Sequence, residues 1–228
     1  MNSLLAHPPH NNYTDLIYRD ESLIVVNKPA GLLAVPGRGA DKQDCVASRV
    51  LAEFPDALIV HRLDMATSGL LLFARGAEMQ RRLSQMFRER EVQKRYVAVV
   101  SGRLEPLTGE IDLPLIGDWP SRPRQKVDLA IGKPSLTRYR GLEYAEAARP
   151  SIHQGERDFE TTRVELEPVT GRTHQLRVHL AAIGHPIVGD TLYGGEAGAE
   201  RLLLHASMLS FAHPLSGKPL SLASDAPF

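Results

Sequence analysis

The chain has 228 residues, 43% of them hydrophobic and 24% charged, with 27 basic side chains balanced by 27 acidic ones and a single cysteine. That length and apolar share suit one large catalytic domain or two small ones and exclude a disordered chain. No apolar run reaches the roughly 18 residues of a membrane span. The polar, Pro- and His-containing stretch Met1 to Asn12 argues against a secretory signal, and the lone Cys45 forms no internal disulfide, which fits a small buried residue in a reducing cytoplasm.

In chain order, Thr14 to Val26 reads as extended, with Leu23 to Val26 as a strand opened by Asp20-Glu21. Residues 27–39 are rich in Pro and Gly and form a loop or a pair of tight turns. Between Asp44 and Phe54 the apolar residues Val46, Val50, Leu51 and Phe54 mark a helical face that Pro55 ends. Two apolar runs, Ala57 to Val60 and Leu70 to Ala74, flank a small-residue turn and read as two strands. Asp64 then falls at a strand end, where a rigid scaffold aims a reactive group into a cleft. Two residues before it, Arg62 supplies a fixed cation with a planar donor fork. An acid and a cation so close suit an anionic substrate; the bland alternatives are a turn-forming Asp64 and an ion-paired Arg62.

Ala77 to Arg90 is the best helix, with Leu83, Met86 and Phe87 on one side and arginines on the other. Tyr96 to Val100 follows as a strand of strong β-formers. From Gly109 to Lys133 the chain is loop-rich. Thr137 to Tyr144 and Phe159 to Pro168 read as strands joined by a surface loop, Ala145 to Asp158. Gln175 to Gly184 is a short helix and Leu202 to Phe211 another strand. Strands dominate without alternating regularly with helices, which gives an α+β class with a mixed or antiparallel sheet.

The balanced net charge hides an uneven distribution. Arg75 to Arg103 holds eight Lys/Arg, Lys94 and Arg95 among them, against three acids. Trp119 to Arg140 holds six, including Arg122, Arg124 and Lys126, against Asp128 alone. Gly141 to Gly171 reverses this, with seven acids and three bases. Such a chain can attract phosphates on one face; ordinary solvated surface is the competing reading. His174, His179 and His185 lack metal-ligand spacing and companions, so no metal is expected. Pro36-Gly37-Arg38-Gly39 lacks the spacing of a phosphate-binding loop.

The nine residues His61-Arg62-Leu63-Asp64-Met65-Ala66-Thr67-Ser68-Gly69 resemble the catalytic motif of the RluA family of RNA pseudouridine synthases. Asn27-Lys28-Pro29-Ala30-Gly31-Leu32, Lys94-Arg95-Tyr96, Gly171 to His179, Gly184 to Asp190, Leu192-Tyr193-Gly194 and Leu203-Leu204-His205-Ala206 resemble further family blocks in the family's order. The resemblance covers nearly everything from Asp15 to the C-terminus. It implies the pseudouridine synthase fold, a long bent mixed or antiparallel sheet with flanking helices and loops and a central cleft. It also implies a flexible segment over residues 1–12 and one catalytic domain over 13–228, without the S4 RNA-binding module that many relatives carry.

By the same resemblance Asp64 is the nucleophile, Arg177 its ionic partner, and Tyr96 the ring stacked under the uracil, its hydroxyl placed to help move a proton. Arg62 is the wedge that fills the space of a flipped-out base. Arg172 and His174 contact phosphate or orient the cleft, and His61, Lys94, Arg95, Arg122, Arg124 and Lys126 complete the RNA-binding set. Chemically, moving the sugar from N1 to C5 of uracil needs no cofactor, metal or group donor, and a carboxylate suits an electron-poor sugar carbon. The substrates implied are hairpin loops of tRNA (the anticodon loop) and of 23S rRNA, with no DNA or membrane partner and a cytoplasmic monomer expected. Other readings are a synthase with a different rRNA or tRNA target, a non-catalytic RNA-binding protein, or a nucleotide phosphotransferase, which would need Mg²⁺ and the missing phosphate loop. The main departure from the family pattern is the longer segment 145–158, whose position bears on RNA selection.

Overall fold

The computed structural model describes residues 15–142, 160–194 and 199–228. The N-terminal segment and the loop 145–158 singled out above lie outside these residues. Twelve strands and three helices follow in the order β1 (Asp15–Arg19), β2 (Leu23–Lys28), α1 (Val46–Glu53), β3 (Ala57–Ile59), β4 (Ser68–Arg75), α2 (Gly76–Glu89), β5 (Gln93–Ser101), β6 (Thr108–Asp112), β7 (Leu115–Gly117), β8 (Gln125–Val127), β9 (Leu136–Gly141), β10 (Thr161–Pro168), α3 (Gln175–Ala182), β11 (Leu204–Ala212) and β12 (Pro219–Ala223). The fold is α+β, as expected.

Ten strands make one mixed sheet, in the order β1-β2-β4-β11-β5-β10-β9-β6, with β3 added to β4 and β12 to β11. The β4–β11 pair is parallel. The other pairs are antiparallel.

Two readings of the sequence need correction. From Asp15 onward the extended stretch is a hairpin, because the Asp20 carboxylate accepts the backbone N–H groups of Ser22 and Leu23 at 2.7 and 2.9 Å and turns the chain there. The loop-rich stretch 109–133 contains most of β6 and the separate two-stranded hairpin β7–β8. Strands of three residues carry too little periodicity to stand out among prolines.

The run Leu70-Leu71-Leu72-Phe73-Ala74 is apolar on consecutive positions because β4 is covered on both faces. Leu71 and Phe73 join Val46 and Val50 of α1 in one core, whereas Leu70, Leu72 and Ala74 pack with Leu83 of α2 in another. A third core lies under the other half of the sheet, where Ala98 and Val100 of β5 and Val164 and Leu166 of β10 meet Leu176 and Leu180 of α3. Each buried Leu or Phe is worth about 1.5–3 kcal/mol of transfer free energy.

One edge of β4 faces the middle of the molecule and is shared. Its first two residues pair with β11 (Ser68 with His205, Gly69 with Ala206), and its last three pair with β3. The two halves of the sheet therefore join through two rungs. Gly69 has φ +113°, and a Cβ there would run into the backbone of Ala206. Gly69→Ala is expected to cost at least about 3 kcal/mol, combining a disallowed dihedral with a backbone collision. The urea midpoint reads this directly; a loss below about 1 kcal/mol would mean that the strands part freely at this rung.

Candidate active site

The gap on the β4 edge, between the rungs to β11 and those to β3, is where the chain leaves the sheet and returns. Residues 60–67 cross it. His61 fills the ladder from the side: its Nε2 accepts the Leu72 amide at 2.9 Å while its ring stacks on Phe87 with centroids 4.6 Å apart. Accepting through Nε2 keeps the neutral ring's proton on Nδ1. Burial, with Lys94 nearby, pulls the His61 pKa down to about 3.

Beyond His61, the Thr67 amide donates to the Asp64 carbonyl at 3.1 Å and closes a tight turn. The Met65 carbonyl inside that turn accepts the Gly31 amide at 2.8 Å and the Lys28 ammonium at 3.0 Å. Lys28 is wholly buried and also donates to the carbonyls of Pro29 and Leu32 at 2.8 and 2.7 Å. Desolvation lowers its pKa to about 7, opposed by the charge of Asp64. One ammonium thus ties the loop after β2 to the turn that carries the acid.

The opposite wall is built by the loop after β10 and by α3. Gln175 anchors the loop: its carbonyl oxygen accepts from the Thr170 hydroxyl (2.6 Å) and the Arg172 amide (3.0 Å), and its Nε2 donates to the Leu136 carbonyl and the Thr137 hydroxyl. In the first turn of α3, Arg177 lies almost fully buried. Its Nε and Nη2 donate to the two oxygens of Asp190 at 2.8 Å each, and its Nη1 reaches Asp64 Oδ2 at 3.4 Å. Burial opposes the guanidinium charge, but Asp190 outweighs it, with Asp64 adding, and the Arg177 pKa is held above the ordinary arginine value. Asp190 is itself fixed by the amides of Leu192 and Tyr193. It follows Gly189, whose φ of +77° sits where a Cβ would strike the Arg201 carbonyl.

Between these walls lies a cleft of about 550 Å³, within the usual range for a small-ligand site. Asp64 and Tyr96 line it, with Arg62, Arg172, His174, Lys94, Arg88 and Arg90 around them. Tyr96 also packs against two of the cores. Burial, with the charge of Asp64, raises its pKa far above the normal phenol value, so it stays a neutral donor and a stacking face. A β-bulge in β11 opposite Arg95 and Tyr96 bends the ladder at this point, the kind of irregularity that re-aims a side chain. Among the described residues two non-glycines have positive φ, Arg90 (63°) and His174 (54°), and both line the cleft. Such backbone strain costs about 1–3 kcal/mol per residue and clusters at functional sites.

The structure brings Asp64, Tyr96, Arg177, Arg62, His61, Arg172, His174 and Lys94 into this cleft. Arg95 is not among them. It alternates with Lys94 and Tyr96 along β5 and so points to the other face of the sheet, where it pairs with Glu165 at 3.3 Å. Arg122, Arg124 and Lys126 are exposed on the β7–β8 hairpin, outside the cleft lining. The Arg122 guanidinium stacks on Trp119, and Arg124 lies 5.6 Å from the ring of Tyr193. His179 is a core residue, bonded to the Thr137 hydroxyl and the Leu113 carbonyl at 2.9 Å each.

Lys28, Asp190, Tyr193, Arg88 and Arg90 were not singled out from the sequence as site residues. A lysine flanked by the apolar run of a strand, and an acid directly after a Gly, were the signals available for the first two.

The profile of the family described as RNA pseudouridylate synthase matches residues 22–182. The chain is 47% identical over 225 residues to the dual-specificity RNA pseudouridine synthase RluA of Escherichia coli (strain K12), covering 97% of each. It is 48% identical over 219 residues to the protein of that name from Vibrio parahaemolyticus, covering 95% of this chain and 84% of the relative. Among solved structures it is similar to human RNA pseudouridylate synthase domain containing 1, with a TM-score of 0.76 and 30% identity over 98% of this chain and 87% of that one.

His61 and the buried His205, with pKa values lowered by burial to about 3 and about 4, are neutral in the folded protein. The unfolded chain titrates them near 6.5. Between that value and the folded pKa the unfolded state binds more protons, so stability is complete above about pH 6.5 and falls as the pH drops. Urea midpoints from pH 7.5 to 5 are expected to decline, and His61→Gln is expected to flatten the decline. An equally steep decline in the variant would show that His61 is protonated in the fold.

Proposed function

The chain belongs to the RNA pseudouridylate synthase family, and on that premise we propose that it isomerises uridine to pseudouridine in RNA hairpin loops with Asp64 as the nucleophile. The observation that carries this is the Asp64 carboxylate in the cleft, 3.4 Å from an almost fully buried Arg177 and beside a neutral Tyr96. The reaction breaks the N1–C1′ bond, forms C5–C1′, releases the proton of C5 and protonates N1. Oxidation state and atom count are unchanged, so the protein must supply a group that carries the substrate while neither glycosidic bond exists. A carboxylate does so, and the Arg177 guanidinium 3.4 Å away supplies a fixed opposite charge beside it.

Reaching such a cleft requires the uridine to leave its stack, at a cost of a few kcal/mol. Arg62, exposed at the rim, is suited to occupy the vacated space. Tyr96 serves as the face on which the detached uracil rests. Its raised pKa makes it a proton donor or relay rather than a preformed phenolate base. Lys94, Arg88, Arg90 and Arg172 ring the cleft with positive charge that suits the phosphates on either side of the target nucleotide. Arg122, Arg124 and Lys126 on the hairpin extend this surface, whereas Arg95, ion-paired on the far face, drops out of the binding set. The proposed substrates are a tRNA anticodon stem-loop and a 23S rRNA hairpin, supported by the resemblance of the motifs and by matching length with the dual-specificity relatives. We read 13–228 as one catalytic unit, because one sheet takes strands from both ends of the described chain, and we infer from the family resemblance that it acts as a monomer in the cytoplasm on RNA and not on DNA.

The test uses both RNAs transcribed with [5-³H]uridine, since forming the C5–C1′ bond must release the label. Wild type is expected to release tritium in the presence of EDTA. Asp64→Ala is expected to lower the rate at least about 10³-fold while still binding RNA. Label release by the variant near the wild-type rate would remove Asp64 from the chemistry. Absence of release by wild type from either RNA would reject these substrates.

A further inference from the structure

Tyr193 stands outside the catalytic set, yet its side chain connects several parts of the site. Its hydroxyl lies 2.7 Å from His174 Nδ1 and accepts the backbone amide of Gln125, on the β7–β8 hairpin, at 2.8 Å. The Arg177 guanidinium lies 5.2 Å from the centre of its ring, and the imidazole of His174 meets that ring edge-on at 5.7 Å. The other nitrogen of His174, Nε2, faces Asp64 Oδ2 at 3.8 Å.

The donor count of this chain of groups is decisive. The phenol has one proton. The Gln125 amide can only donate, so the phenol oxygen accepts there and its proton is free for His174 Nδ1. His174 is kept neutral by burial, with Arg177 and Arg62 opposing the pull of the two carboxylates. A neutral imidazole that accepts at Nδ1 carries its proton on Nε2. That proton then sits on the nitrogen nearer Asp64, 3.8 Å from Oδ2 and just beyond hydrogen-bond distance. In the opposite tautomer the Nε2 lone pair would face a carboxylate oxygen, and the phenol proton would have no partner among the described residues.

We propose that Tyr193 is a positioning residue that sets the tautomer of His174, so that the Nε2–H of the imidazole is presented to Asp64. This rests on the reading of Asp64 as the nucleophile. Asp64 then faces a fixed cation on one side and a neutral N–H on the other. A small approach from 3.8 Å would make the N–H a hydrogen-bond donor to the carboxylate without adding a charge that would hold it back from the sugar. The same hydroxyl ties the site to the hairpin that carries Arg122, Arg124 and Lys126, so a shift of that hairpin on RNA binding acts on His174 through one hydrogen bond. The left-handed backbone of His174 is the local strain that aiming the imidazole in this way requires.

The first measurement is the ¹⁵N spectrum of histidine-labelled wild-type protein, with the His174 resonances assigned from His174→Gln. The Nε2–H tautomer is expected, and a predominant Nδ1–H form would overturn the proposal whatever the activity. The second is Tyr193→Phe, which keeps the ring and its contacts with the guanidiniums but removes the hydroxyl. It is expected to lower kcat roughly tenfold, the lower end of what losing the outer partner of a functional histidine costs. KM should stay near wild type, and the His174 spectrum should shift toward Nδ1–H or a mixture. A wild-type kcat in the variant, or a loss of rate with an unchanged tautomer, rejects the proposal. Should Asp64→Ala release label near the wild-type rate, the reading of Asp64 falls while the spectrum still decides whether Tyr193 sets the tautomer of His174.

Discussion

The guanidinium of Arg177 is the feature on which the rest of the site depends. An acid that must stay ionised in a cleft with little water needs an opposite charge beside it, and that charge, once buried, needs a partner of its own. Asp190 takes two of the guanidinium's donors, is fully buried, and leaves the remaining edge directed at Asp64. Three charges from three parts of the chain therefore stand in line: the turn after β3, the helix α3, and the turn after Gly189. Loss of Asp190 would leave the buried guanidinium with only its longer contact to Asp64, and loss of Asp64 would leave it paired with Asp190 but facing a cleft without its acid. Hydrogen-bonded turns hold both acids in place. The buried Lys28, bonded to three carbonyls, does the same for the backbone around Asp64.

The second constraint is the seam between the halves of the sheet. Two rungs between β4 and β11 are all the ladder there is. The close approach at Gly69 is reinforced by a polar chain in which the half-buried Arg201 donates to the buried Ser68 hydroxyl, Ser68 bonds the buried His205, and His205 reaches the half-buried Ser224. Every group in that chain has a partner, which is what allows Ser68 and His205 to be buried. The thin seam has a use. Where β4 is not paired to β11, the chain is free to leave the sheet as a turn, and that turn carries Asp64. A fully laddered sheet would have no opening for a catalytic loop at its centre.

Strain is spent at the same place. Arg90 ends α2 in the left-handed conformation normally given to glycine, and His174 opens α3 in the same conformation. Both line the cleft. A glycine at either position would be easier for the backbone, but it would remove a side chain from the one region where cations and a hydrogen-bonding imidazole are wanted. The fold accepts a small loss of stability for a gain in electrostatics.

Much of this protein could be read along the chain. The paired apolar runs around residues 61–69, the amphipathic face of 77–90 and the blocks carrying Asp64, Tyr96 and Arg177 are local signals, set by periodicity and by residue types that chemistry demands at fixed spacing. They determined the α+β class, the family and the central acid. Other features were beyond such reading. The two-sided burial of β4 was written in its apolar run, but which neighbours covered it was not. The hairpin within 109–133 was too short to show a period. Arg95 looked equivalent to Lys94 until the pleat of β5 sent the two to opposite faces. Asp190, Tyr193 and Lys28 lie 13, 19 and 37 residues from Arg177, His174 and the Met65 carbonyl, and those contacts exist only as distances between elements brought together by the fold. Sequence alone determined which chemical groups are present and in what local order. The tertiary structure decided which of them share a cleft, because burial, pairing and the facing of side chains are properties of contacts between segments and not of any segment by itself.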